Sequence, residues 1–291
     1  MLSGVPLWGL EVSPSHSEIE AGAVYLVKIT LASNEVLKDI QENGNSLPTA
    51  SWISPGEGVA RHHLLIRATD VESAERTNGY ALTGSWGTRN WTLIVHRKPV
   101  PSTPNGRVQL SSSTRQQVLG DADKVWKENQ FFLEFFRRPP SPITYWRGAF
   151  QLPVPSLQIS SPYGRMRRYD NGAVSFHRGT DFPFDTGTPV TAVQRGKVIF
   201  ADSTVVRGNM VVLDHGAGLY SSYWHLSRIE AREQDVVLPG EKIGEVGTTG
   251  LSTGPHLHFE MRQQEAVFDG LTLLLAASPW FSFENPPRLA K

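Results

Sequence analysis

Residues 255–261 read Pro-His-Leu-His-Phe-Glu-Met, and the fold turns on how that stretch is taken. Leu257, Phe259 and Met261 are apolar, while His256, His258 and Glu260 are polar. On a β-strand this alternation sets both imidazoles on one face, close together, whereas on a helix they would point in nearly opposite directions. The strand reading makes the pair usable for chemistry and leaves an unbroken apolar row for a core.

Working outward, Met210–Asp214 (MVVLD) alternates in the same way and leads to Tyr223-Trp224-His225-Leu226. His225 could reach the same cleft as a base or hydrogen-bond donor, or stand as an ordinary histidine at the edge of a core. The residues alone leave both open. Further back, His177 and Asp181 are separated by three residues, a spacing that can bring two side chains to one metal from a helix turn, a strand or a strand–loop junction. Gly179 between them and Pro183 after them argue against a helix. Alone the spacing is weak. Beside the His256/His258 strand it supplies imidazole nitrogen plus carboxylate oxygen, a preferred set for zinc, and two imidazoles with one carboxylate would leave the fourth position that a catalytic site needs for water. The chain has no cysteine, which excludes disulfides and thiolate metal sites.

The rest of the 291 residues sets limits. With 39% hydrophobic and 19% charged residues, 26 Gly and 20 Pro, the chain reads as folded, turn-rich and mainly β. Lys plus Arg and Asp plus Glu balance at 28 each, so no net positive field exists to hold nucleic acid or an anionic membrane. The opening MLSGVPLWGLEVSP lacks the basic segment and apolar run of a secretory signal, which was either removed or never present. Leu271–Ala277 (LTLLLAA) falls far short of the roughly 20 residues that span a bilayer and is expected to be a buried helix.

Three regions follow from the patterning. Over 1–97, runs such as Ala23–Leu31, Ala60–Thr69 and Asn90–Val95 alternate with turn-formers, as expected of a small antiparallel sandwich. His62 and His63 are neighbours there, would face opposite ways on a strand and are not expected to share a metal. Residues 98–149 hold a Pro-rich linker, Lys98–Arg107, and then an amphipathic helix. A capping-box pattern at Ser113 and Gln116 opens that helix, Val118, Ala122, Val125, Phe132 and Phe136 recur at helical spacing, and Pro139, Pro140 and Pro142 end it. Its aromatic stripe is expected to pack on a neighbour. Residues 150–291 are dense in glycine and short strands.

In that last region Ser161-Pro162-Tyr163-Gly164-Arg165, His177-x-Gly179-x-Asp181, Gly187-Thr188-Pro189-Val190, His215-Gly216-x-Gly218, Tyr223-x-His225-Leu226-Ser227, Gly247-x-Thr249-Gly250 and Ser252–Glu260 occur in one order. Together they resemble the M23 family of zinc metallopeptidases, the lysostaphin and LytM type. The likeness runs from about Ile159 to Glu260 and leaves the preceding sandwich, linker and helix uncovered.

The resemblance implies a compact antiparallel β domain with a narrow groove, one Zn2+ held by His177, Asp181 and His258, and two further histidines, His225 and His256, beside a water that the metal activates. Which of those two is the base stays open. The implied reaction is endopeptidase cleavage of the stem or cross-bridge peptides of peptidoglycan, in the periplasm, the cell envelope or outside the cell. Tyr163, Arg165 and Tyr223 are candidate substrate contacts, Trp224 could line a wall, and His215 is expected to be structural. The rival reading is a non-hydrolytic envelope protein that binds the wall or activates another hydrolase; it would show lost ligands, and all five positions are present. An N-terminal wall-binding module would be favoured by exposed tryptophans among Trp8, Trp52, Trp86 and Trp91. The N-terminal region could also lie across the groove and keep the enzyme latent, in which case a chain beginning near Phe150 would be the more active.

Overall fold

Alternating side chains build almost every layer. The computed structural model describes residues 11–14, 18–32, 34–47, 52–53, 60–70, 72, 74–96, 106–108, 111–112, 116, 120, 122–141, 143–146, 148–169, 172 and 174–275. The first strands are β1 (Glu11–Pro14), β2 (Glu18–Glu20), β3 (Val24–Ala32), β4 (Leu37–Glu42), β5 (Asn45–Ser46), β6 (Trp52–Ile53), β7 (Ala60–Ala68), β8 (Arg76–Gly84) and β9 (Gly87–His96). They form a four-stranded sheet, β1-β3-β7-β6, and a five-stranded one, β2-β9-β8-β4-β5. Val27, Ile29 and Leu31 from the first meet Ile40, Tyr80, Leu82, Leu93 and Val95 from the second in one apolar cluster, which is a sandwich core. All pairs are antiparallel except β2 with β9, which run parallel. Trp86 is half-buried here, while Trp8 and the side chains of Trp52, His62, His63 and Trp91 lie outside the described residues.

Within the stretch read from sequence as linker, Gly106–Val108 is a strand, β10, paired in parallel with β11 (Met166–Tyr169), which in turn pairs with β12 (Val174–Phe176). Three residues are too few to show a period, so composition alone hid it. The helix α1 runs Ala122–Arg137 and stops two residues before Pro139; the capping residue Ser113, and Val118, lie outside the described residues.

Downstream come β13 (Thr180–Phe182), β14 (Pro189–Thr191), β15 (Gly196–Thr204), β16 (Gly208–Gly216), β17 (Leu219–Leu226), β18 (Arg228–Ile229), β19 (Val236–Val237), β20 (Lys242–Glu245), β21 (Leu257–Gln263), β22 (Ala266–Phe268) and a short helix α2 (Leu271–Leu274). The main sheet has the order β13-β21-β17-β16-β15-β19, with β22 on β21, and a small sheet β14-β20-β18 lies beside it. One face of the main sheet buries Val211, Leu213, Leu219, Tyr223, Leu257, Phe259 and Met261 in a core that also takes in Trp146 and Phe150. The other face carries Met210, Val212 and Tyr220, which are covered by Phe132, Phe135 and Phe136 of α1. Leu273 and Leu274 of α2 are buried. No helix among the described residues is long and apolar enough to cross a membrane.

The sandwich touches the C-terminal layer directly. Val24 enters its core. The Asp269 N–H donates to the Gly22 carbonyl at 2.8 Å, Arg67 Nη1 to Gln263 Oε1 at 3.4 Å, and Arg178 pairs with Glu72.

Candidate metal centre

Strand register builds the centre. β13 and β21 pair antiparallel with Asp181 directly opposite His258, which brings their side chains to one face as cross-strand neighbours. His177 reaches the same point from the turn before β13. Gly179 lets that turn close, because a Cβ there would stand 2.5 Å from His258 Nε2 and 2.7 Å from the Phe259 carbonyl oxygen. His177 Nε2 lies 3.0 Å from His258 Nδ1 and 3.0 Å from Asp181 Oδ1, and His258 Nδ1 lies 2.8 Å from the same carboxylate oxygen.

The outward atoms of these three groups are engaged. His177 Nδ1 faces the Pro162 carbonyl at 3.0 Å and Ser161 Oγ at 3.2 Å. His258 Nε2 faces Glu260 Oε1 at 3.3 Å. Asp181 Oδ2 accepts from Arg167 Nη2, which also donates to Ser161 Oγ at 2.8 Å. Such outer partners fix ring and carboxylate orientation, so that the three inner atoms face one another.

Charge follows the same logic. Burial pulls His177 down to about 4 even though Asp181 works against it. Burial would raise Asp181, but hydrogen bonds to His177 and His258 hold it well below the usual carboxylate range. Burial opposes the charged form of His258 too, and Asp181 and Glu260 outweigh it, lifting the group to about 9. The nest therefore favours positive charge at its centre. Two imidazoles and a carboxylate suit zinc, whose tetrahedral shell with ligands roughly 2.0–2.2 Å away would ask only a slight spreading of these atoms.

His225 and His256 stand beside the nest, their rings 4.9 Å apart. His225 Nδ1 faces the Thr249 carbonyl at 2.8 Å and His256 Nδ1 the Gly254 carbonyl at 2.8 Å. Each Nδ1–H donates there, which leaves both Nε2 atoms as acceptors. His256 Nε2 is 3.8 Å from Asp181 Oδ1. Burial, with His256 and His258 nearby, lowers His225 to about 3, and burial lowers His256 as well, so both are neutral at pH 7. His225 adopts φ +61°, a left-handed conformation costly for a side chain other than glycine.

Of the three sequence-predicted substrate contacts, Tyr163 and Tyr223 are buried. Tyr223 is wholly buried in the core, and its Oη accepts the Val193 N–H at 3.0 Å. Tyr163 is buried and donates to the Val267 carbonyl at 2.7 Å, packed with Phe176. Arg165 is half-buried, and its Nη1 donates to the Ser160 carbonyl at 3.3 Å. His215 is fully buried. Trp224, one residue on from Tyr223, takes the opposite face, and its ring lies 4.4 Å from that of His258. Sequence reasoning missed Arg167 and Glu260; Glu260 had a signal, since it shares the parity of His256 and His258.

Comparison with known proteins follows the same region. Residues 175–269 match the model for peptidase family M23. The chain is 36% identical over 180 residues to the peptidoglycan DD-endopeptidase ShyB of Vibrio cholerae, covering 62% of this chain and 42% of that protein. It is 39% identical over 117 residues to the DD-carboxypeptidase/endopeptidase Mpg of Neisseria meningitidis, covering 40% of this chain and 27% of that one. The chain thus spans less than half the length of either. A crystal structure of a Pseudomonas aeruginosa protein described as an M23 peptidase superposes with a TM-score of 0.62 at 23% identity, over 89% of this chain and 95% of that one, and so shares its fold.

Proposed function

We propose, for a chain whose residues 175–269 are a peptidase family M23 domain, that it is a zinc-dependent endopeptidase cutting peptide bonds in peptidoglycan. The observation that carries the reading is the meeting of His177 Nε2, Asp181 Oδ1 and His258 Nδ1 within 3.0 Å of one another, with every outward atom engaged. Those three residues would hold one zinc ion. Zinc bound there would polarise a carbonyl and lower the pKa of a water to about 7.

The chain's own groups handle the protons. His256 and His225 are neutral, and their rings stand 4.9 Å apart beside the three converging atoms; one accepts a proton from the attacking water, and an imidazolium formed there returns it to the leaving amine. His256 is the more exposed of the two and the nearer to solvent, which favours it for the return step. Arg167 keeps Asp181 oriented through Oδ2, leaving Oδ1 for the metal.

Relatives named as peptidoglycan DD-endopeptidases make a bond between two D-residues of the cross-linked stem the first to test. Such a substrate places the protein in the periplasm, in the cell envelope or outside the cell. The test is to measure zinc content, digest purified sacculi and identify released fragments by mass spectrometry, with His177→Ala as control. Cross-linked muropeptides should fall into monomers with the native chain alone. A His177→Ala chain that keeps full zinc and full cleavage overturns the reading.

A further inference from the structure

The matched family region begins at residue 175, yet α1, which ends at Arg137, reaches the metal centre through a stack of side chains. Glu128 of α1, half-buried, accepts the backbone N–H groups of Val205 and Val206 at 2.6 and 2.9 Å, capping the turn between β15 and β16. It also accepts Arg207 Nη1 at 2.6 Å, while Asn129 Oδ1 takes Nη2 at 3.2 Å. So fixed, the Arg207 guanidinium lies between two rings, 4.5 Å from the centre of Phe132 and 4.9 Å from that of Trp224. Trp224 lies 4.4 Å from His258 with 34° between the planes, and register sets the two opposite each other across β17 and β21. The Trp224 indole N–H is buried without an acceptor among the described residues, which leaves ring contacts to hold it.

His258 needs such support. Its other anchor is a 3.3 Å contact to Glu260, which Arg262 also engages. Arg207 serves the second half of the site as well, since its backbone carbonyl accepts the His225 N–H at 2.9 Å and pins the left-handed turn there.

We propose that Arg207, held by Glu128 and stacked on Trp224, is a positioning residue that fixes the His258 ring so that Nδ1 aims at His177 and Asp181, which makes α1 part of the catalytic unit. This rests on the zinc reading of the site. Loss of an outer partner typically weakens a metal about 10–100-fold.

The test uses the full chain carrying Arg207→Met, Arg207→Lys, Trp224→Leu or Trp224→Phe. Readouts are zinc affinity by competition with a chromogenic chelator, the visible spectrum of the cobalt-loaded protein, and the Tm of the metal-free protein. Arg207→Met and Trp224→Leu should weaken zinc roughly tenfold or more and alter the cobalt bands, with metal-free Tm little changed. Arg207→Lys and Trp224→Phe, which keep a cation or a ring, should recover much of the affinity. Native affinity and cobalt bands in Arg207→Met and Trp224→Leu overturn the proposal, as does a loss matched by the fall in metal-free Tm. If Trp224→Leu fails to fold, the Arg207 pair still decides. Should the native chain bind zinc no better than His177→Ala, it is the zinc reading that has failed, whatever these variants do.

Discussion

Two histidine networks lie on opposite faces of one sheet, and they differ in whether their atoms are spent. On the core face His215 Nδ1–H donates to the Arg195 carbonyl at 2.9 Å, and Nε2 lies 2.8 Å from Ser221 Oγ. Ser221 Oγ lies 3.0 Å from Tyr223 Oη, which takes the Val193 N–H. Nothing there is left over for a ligand. On the other face the outward atoms of His177, Asp181 and His258 are held by the surrounding protein, while the inward three meet only one another and converge on one point. Burial lowers His177 and His215 alike to about 4. A low imidazole pKa therefore does not distinguish a reactive site from a packed one; the convergence of three ligand atoms on one point does.

Asp181→Asn attacks the open network and carries the largest expected effect. It keeps the shape but removes the charge, so zinc affinity should drop by more than the roughly 10–100-fold typical of outer partners, and hydrolysis by several orders of magnitude. Metal titration and peptidoglycan turnover would read this. Native affinity in the Asp181→Asn chain would dissolve the contrast between the networks.

His256→Ala comes next. It leaves the three converging atoms in place, so zinc should stay bound while kcat falls about 10²–10⁴-fold. Equal losses of metal and rate would make His256 a ligand instead of a proton carrier.

His215→Phe is the smallest in activity. Rate per folded molecule should match the native value, while stability at pH 7.5 falls by about 1–3 kcal/mol because the partners of the ring lose their hydrogen bonds. His215 has a folded value of about 4, against ~6.5 unfolded, so below pH 6.5 the unfolded chain takes up the proton first. The contribution of the neutral ring, worth up to about 3 kcal/mol, is complete above pH 6.5 and lost as pH falls toward 4. Urea unfolding should show the gap between native and variant narrowing over that window. A gap independent of pH would remove His215 as the cause.

The layers were legible where parity was clean. Leu257, Phe259 and Met261 are core and His256 and His258 are not, as the alternation required. The same rule would set Tyr223 and His225 on one face. The +61° φ at His225 breaks it, turning that imidazole toward His256 while Tyr223 stays in the core. No local pattern announces such a residue. Arg167 and Glu128 escaped for another reason. Their roles depend on which strand or helix docks beside them, as when Glu128 meets Arg207 79 positions away. A chain begun near Phe150, the test of whether the N-terminal region keeps the enzyme latent, would also bare Met210, Val212 and Tyr220.

Pairing Asp181 with His258 across two strands makes the spacing of the ligands a matter of counting. A one-residue slip of β21 against β13 would turn His258 inward and push Leu257 and Phe259 out, so chemistry and core would exchange places in a single step. The pairing of β21 with β13 therefore fixes the site and the core together.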